Sequence, residues 1–468
     1  MNIFRFLIRG ALLTMIPAVL SAQEITGPLK LSLKQAQEYA LLNNRNVKSA
    51  NIDIEIAKKK VWETTAIGLP QFTATADYQH LFKVPEASFG GNTILSLDQS
   101  IGNADVITAQ TIRDKKLSLG FEPGAPIALG VPDNVTFNFT VSQLVFSGEY
   151  IVGLQAARVF KELSERSLVK TQLSTKESVA NGYYLVLILQ ENINLLNASY
   201  KTIDQSYSEL SKMQEQGFAE ETDVDQMKIN KLNLQSSITS LEGKKEVSVK
   251  LLKIQLGIDF EQSLELTDSL TGIISNGTIQ YLSSFDFDVN SSIDMQLMKT
   301  SEGLSLLSLR RQKSTFLPTI AAFYQHQELL NEPLLNFQPK DVLGASLTFP
   351  IFTSGKRLAI VGQAKLDLEK TRLTKDNVEQ SLIMEFENAR NDYQTAFTNF
   401  SHNKESMILS EKVYNKTLVK YKEGVSTSFE LTQIQNQFIL SQSNYYNSLL
   451  TLMEAQAKLE RILSKNQQ

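Results

Sequence analysis

The stretch YKEGVSTSFELTQIQNQ, residues 421 to 437, sets a glycine inside a run that otherwise reads as helix for dozens of positions on either side. MQEQGFAEETDVDQMKI, residues 213 to 229, repeats the device 207 positions earlier: Gly217 answers Gly424, Asp223 answers Glu430 and Val224 answers Leu431. One such break is punctuation; two in register point to a duplicated chain. Glycine is the cheapest residue where a helix must end in a left-handed turn and reverse.

Outward from these turns the order of elements is the same in both halves. GLPQF at 68 to 72 is answered by FLPTI at 316 to 320, and VSQLVFSGEY at 141 to 150 by LTFPIFTSGKR at 347 to 357. Each half reads as helix, Leu-Pro, strand, loop, strand, a Phe-Gly corner, long helix, glycine turn and helix. Repeat 1 spans about 31–257 with strands at about 71–82 and 135–146; repeat 2 spans about 279–464 with strands at about 319–327 and 342–352. The first half carries about 40 more residues between its strands.

The strand segments alternate with a period of two. Phe72, Ala74, Ala76, Tyr78 and Phe82 stand against Thr73, Thr75, Asp77 and Gln79, and Val135, Phe137, Phe139 and Val141 against Thr136, Asn138 and Thr140. Leu343, Ala345, Leu347, Phe349 and Ile351 repeat the pattern, whereas IAAFYQHQ alternates least. Four nearly uncharged strands of this length suit an outer membrane, with a polar face toward a wet lumen. They cannot close a barrel alone, and an open edge in lipid is not tolerated. Three copies supply twelve strands.

The helical stretches are too long for a globular domain. From about Lys356 to Glu423 there is no proline, enough for a rod of roughly 100 Å. Beyond the second turn, Leu431, Phe438, Tyr445, Leu452 and Leu459 fall every seven residues, with Ile434, Ser441, Ser448, Ala455 and Ile462 three further on, a coiled-coil pattern. The first half matches in part through Met227, Leu234 and Leu241, and through Val224, Ile238 and Leu252; its lysines 231 and 245 are expected to weaken that seam.

Composition narrows the function. No cysteine is present, so disulfides and thiol chemistry are excluded, and the three histidines, His80, His326 and His402, show no metal-ligand spacing. No nucleophile, base and orienter constellation is visible, so no catalytic, cofactor or metal residue is assigned. The net charge of -4 and the lack of a long basic run argue against nucleic acid as a partner. Residues 1–22 have the build of a signal peptide: Arg5 and Arg9, an apolar run from Gly10 to Leu20, and a small-residue end at Ser21-Ala22. Cleavage there leaves 44 basic and 50 acidic side chains in residues 23–468. Trp62, His80 and His326 read as packing or interface residues, and Tyr78, Phe82 and Phe139 as lipid-facing.

Taken in order and duplicated, LSLKQAQEYALLNNRNV near the start, the two Leu-Pro corners, LVFSGEY, FPIFTSGK and the stretch from Tyr421 to Leu463 resemble the TolC-like outer membrane efflux proteins. The resemblance implies a mainly α fold with a membrane β-barrel part, four strands per chain making a twelve-stranded barrel in a homotrimer, and a periplasmic coiled-coil tunnel. It implies a passive exit duct for efflux or type I secretion in a Gram-negative outer membrane, a channel with no enzymatic activity. It implies a periplasmic adaptor and an inner-membrane transporter as partners. On that resemblance Gly217-Phe218 and Gly424-Val425 match the tip motif that docks the adaptor, and Glu430 matches an aspartate ringing the closed entrance. Gln433 stands where a second acid can occur; Asp223 and Tyr421 match members of a closing latch whose arginine is replaced by Ser426. A secreted coiled-coil scaffold is the alternative, but it leaves the charge-poor strands without a role.

Overall fold

The computed structural model describes residues 28–88, 91–97, 117–123, 126–275, 287–332, 336 and 338–463. The signal-peptide segment 1–22 lies outside the described residues. The chain is mainly helical and divides into two units, one of Asp53–Glu165 with Leu297–Asn377, the other of the remaining segments.

The first unit holds the sheet. Its four main strands, β2 (Gln71–His80), β7 (Asp133–Ser147), β9 (Thr319–Leu329) and β10 (Asp341–Thr348), are ordered β10-β9-β7-β2 and antiparallel throughout. Each repeat contributes one hairpin, and β7 with β9 joins them. The β7–β9 register shifts between Leu144 and Phe146, a bulge shortly before the helix that follows. Phe72 and Phe139 stack across β2 and β7 with centroids 6.4 Å apart, so the aromatic rows share one face. β10 ends at Thr348, short of the 352 that alternation suggests, because Pro350 has no N–H to extend a ladder.

The same small cluster ties the outer end of both hairpins. Tyr78-Gln79-His80 meets Asp133, with the tyrosine hydroxyl and the imidazole Nδ1 each 2.8 Å from one carboxylate oxygen. Tyr324-Gln325-His326 meets Asp341 in the same way, at 2.6 and 2.8 Å. The two histidines thus clamp strand ends, while Trp62 and Phe82 are exposed. The longer connection in repeat 1 adds two ladders of its own, β3 (Glu86–Ser88) with β6 (Pro126–Ala128) and β4 (Gly91–Leu97) with β5 (Leu117–Pro123).

This unit also holds most of α2 (Arg45–Ala66) and α6 (Ile293–Ser314), with the first parts of α3 (Gly148–Glu215) and α7 (Lys356–Lys422). Arg372 and Lys375 on α7 converge at 2.9 Å on Glu302 of α6, and hydrogen bonds from both cations hold that carboxyl below the usual glutamate range.

The second unit is built from the rest of α3 and α7 with α4 (Glu221–Leu256) and α8 (Ser428–Leu463), plus α1 (Leu33–Asn43), α5 (Leu270–Ser275) and the parallel pair β1 (Leu29–Leu31) and β8 (Leu264–Leu266). Ser32 starts α1 with a reciprocal capping box to Gln35. The Tyr183 hydroxyl, 3.0 Å from the Leu31 carbonyl and 3.1 Å from the Asp268 carboxylate, pins α3 to this small sheet. The heptad residues Leu431, Phe438, Leu452 and Leu459 are buried. Nearest the glycine turns one core takes side chains from all four long helices: Ile203 and Leu210 of α3, Met227 and Leu234 of α4, Tyr414 of α7, and Leu431 and Phe438 of α8.

Candidate functional site

The two glycine turns have the same backbone. Gly217 and Gly424 sit at φ 79° and 74°, in the left-handed region. At the first, Phe218 N donates to Met213 O at 2.8 Å and Gly217 N to Gln214 O at 2.9 Å; at the second, Val425 N donates to Lys420 O at 2.8 Å and Gly424 N to Tyr421 O at 3.0 Å. This nested pair is the Schellman arrangement, which satisfies the last carbonyls of α3 and α7. A Cβ at either glycine meets nothing within 4 Å, so the constraint is backbone conformation rather than space. Each glycine is followed by an apolar residue turned to solvent: Phe218 is 76% and Val425 75% exposed.

The acidic residues beside these turns are not alike. Glu430, in the first turn of α8, is exposed, and the Ser426 hydroxyl donates to its Oε2 at 2.6 Å. Ser426 therefore holds Glu430 within its own turn. Gln433 is exposed one turn further on. Asp223, in the first turn of α4, instead accepts a hydrogen bond from Ser428 at the start of α8. Seven residues along α4, Asn230 Nδ2 donates to Thr432 Oγ1 at 2.5 Å, with Asn230 and Thr432 both buried. Tyr421 is half-buried in the core at the turns, and burial, reinforced by the charges of Asp223 and Glu209, pushes its hydroxyl above the usual tyrosine range.

Two hydrogen bonds thus join α4 to α8 where sequence reasoning named only Asp223. Ser428, Thr432 and Asn230 were missed, although Asp223 and Asn230 stand one heptad apart on the face next to Met227 and Leu234. The lysine expectation is corrected here. Lys231 reaches Asp204 of α3 at 2.5 Å and lies 5.2 Å from the Tyr207 ring centroid, and Lys245 donates to Gln190, so both lysines tie α4 to α3 instead of weakening the seam. Further along α8, Gln435 and Gln442 are each 1% exposed, and their amide groups have no hydrogen-bond partner. Among the described residues no three His, Cys, Asp or Glu side chains gather as metal ligands, and no helix is long and apolar enough to cross a membrane.

Residues 310–465, from the end of α6 through β9, β10 and both helices of the second turn, match the family model described as outer membrane efflux protein. This segment is similar to outer membrane efflux proteins. The matched segment holds Gly424, Val425 and Glu430, and the first repeat copies its order of elements. Solved structures extend the likeness in fold to nearly the whole chain. The Campylobacter jejuni CmeC outer membrane channel is 16% identical with a TM-score of 0.68, covering 92% of this chain and 85% of that one. The outer membrane protein VceC of Vibrio cholerae is 15% identical with a TM-score of 0.67, covering 92% and 95%. The open state of the Neisseria gonorrhoeae MtrE outer membrane channel is 14% identical with a TM-score of 0.64, covering 92% and 88%. No curated protein matches the sequence.

Proposed function

We propose that this protein is the outer membrane exit duct of a tripartite efflux system, a passive channel formed by three copies. The observation that carries the proposal is the four-stranded sheet, aromatic along one face and unpaired at both edges, in a chain with a segment similar to outer membrane efflux proteins. Strand direction alternates from β2 through β7 and β9 to β10. The β2 edge of one copy therefore runs antiparallel to the β10 edge of the next, and the alternation continues around a ring. Three copies give twelve strands, an even number within the outer-membrane range, and leave no edge in lipid.

In this reading the helical second unit lies in the periplasm, and the glycine turns surround its entrance. Gly217-Phe218 and Gly424-Val425 dock an adaptor, which hands cargo from an inner-membrane pump. The Asp223 and Asn230 bonds to Ser428 and Thr432, with Tyr421 packed beside them, keep α8 against α4 when the entrance is shut, and Glu430 supplies the acidic ring. Gln433 adds no second ring. A secreted scaffold of coiled helices is not favoured, since it has no use for an aromatic, nearly uncharged sheet face.

The test is to purify the protein in detergent, measure the mass of the particle, and restore drug efflux in cells lacking their own duct. Three chains per particle and restored efflux are expected. A stable monomer with its full strand content would refute the ring.

A further inference from the structure

The foot of the sheet is built twice, once per repeat, and the two copies differ in a way that leaves charge unanswered. In repeat 1, Tyr150 in the first turn of α3 covers Gly68 so closely that a Cβ at position 68 would collide with its hydroxyl. That hydroxyl is satisfied, donating to the Thr65 carbonyl at 3.2 Å. In repeat 2, Phe316 stands in the place of Gly68 and Arg357 in the place of Tyr150. The guanidinium lies over the Phe316 ring, 5.9 Å from its centroid, and its buried Nη1 has no hydrogen-bond partner. Lys356, next to it, makes no ion pair among the described residues.

Both cations border a cavity of about 340 Å³. Its wall is rich in hydroxyls, among them Ser147, Thr319, Thr348 and Thr353. Its single acid, Glu149, is already engaged by Arg311 at 3.0 and 2.5 Å. The cavity lies at the start of α7, where the first N–H groups of a helix lack intrahelical acceptors and the helix dipole favours negative charge. The Arg357 guanidinium borders the cavity without an acceptor of its own, and its charged donors suit a tetrahedral oxyanion.

We infer that this cavity binds a phosphate-class oxyanion, with Arg357 as the forked donor and Lys356 as the second charge. Two sources share that chemistry, inorganic phosphate and the phosphate of a phospholipid headgroup. The second is offered by the exposed residues Leu347, Phe349, Ile351 and Phe352, which adjoin the cavity residues in sequence and present apolar surface that acyl chains could cover.

The experiment uses the full-length protein purified in phosphate-free, uncharged detergent. Inorganic phosphate is titrated in one arm, with chloride holding ionic strength constant; a phosphatidylglycerol is titrated in the other against a diacylglycerol of the same chains. The readout is the midpoint of thermal unfolding, which a ligand specific to the folded state raises with concentration. A saturable rise is expected, lost in Arg357→Gln and moved to at least tenfold higher concentration in Lys356→Gln. Saturation by phosphate alone assigns a free anion, and a response to the phospholipid alone assigns the headgroup; either supports the site. The inference is overturned by the lack of a saturable rise in both arms, or by an undiminished rise in Arg357→Gln. Should Arg357→Gln fail to fold, Arg357→Lys and Lys356→Gln carry the comparison, and full retention of the rise in both counts against the site.

Discussion

Replacing Asn230 by alanine tests whether the hydrogen bonds between α4 and α8 hold the periplasmic entrance shut. The Asn230–Thr432 bond is buried and 2.5 Å long, and its loss leaves the buried Thr432 hydroxyl without that partner. A buried hydrogen bond contributes about 1 kcal/mol net, which corresponds to roughly a fivefold change in an equilibrium constant. If each copy releases its α8 alone, the ratio of open to closed entrances rises about fivefold. If three copies release together, three bonds act at once, and about 3 kcal/mol gives on the order of a hundredfold. Single-channel conductance in planar bilayers reads the open fraction directly. Hydrogen exchange at the first turns of α4 and α8 gives an independent measure and should accelerate by the same factor. The double variant Asn230→Leu/Thr432→Val removes both polar groups and should be closer to the parent in stability than Asn230→Ala while still opening more often. Unchanged basal conductance in both variants, with faster exchange in Asn230→Ala, would show that the bond only stabilises the bundle and has no part in gating.

Three further outcomes are expected. Gly424→Ala and Gly217→Ala should each destabilise the turn by about 1 kcal/mol through positive φ alone, whereas Gly424→Asp and Gly217→Asp should abolish efflux through lost adaptor contact while the sheet still inserts; normal drug resistance with the aspartates refutes docking. Glu430→Gln should remove most block by multivalent cations in conductance recordings and Gln433→Asp should strengthen it, while an unaltered block in Glu430→Gln leaves Glu430 as a helix-start residue held by Ser426. Because Arg372 and Lys375 lower the Glu302 pKa in the folded protein, the stability they confer is complete above the ordinary glutamate range and disappears as pH falls through the depressed folded value. Glu302→Gln should therefore lower the thermal midpoint at neutral pH and flatten its fall on acidification; a parallel pH profile contradicts the assignment.

What the sequence made legible is what depends on local pattern. The glycines at 217 and 424 reveal the turns because only a left-handed residue closes a helix in that way, and the period-two segments are strands because one face differs chemically from the other. The heptad of α8 is readable for the same reason, since Leu431, Phe438, Leu452 and Leu459 recur on one stripe. Partner choice was not legible. Ser428 and Thr432 look like ordinary helix-start and surface residues until α4 brings Asp223 and Asn230 against them, and Lys231 looks like a flaw in a seam until Asp204 and Tyr207 of α3 are seen beside it. The ladders β3 with β6 and β4 with β5 escaped notice because such short segments carry too few alternations to stand out from a loop. The clamp at each hairpin end is intermediate: the repeated Tyr-Gln-His is plain in the sequence, but its aspartates come from strand register.

The open edges of the sheet carry a genetic consequence. Since β2 and β10 each find their complement only on another copy in the proposed ring, one faulty edge breaks a ring whose other members are sound. A proline placed at Ala345 in β10 should therefore act dominantly when made alongside the parent chain, as it would not for a duct closed within a single polypeptide. With equal synthesis and random mixing, about one ring in eight contains three sound copies, so efflux should fall far below the half expected of independent chains. A decline to no less than half would mean that faulty chains are sorted out before assembly or that rings are not the working form.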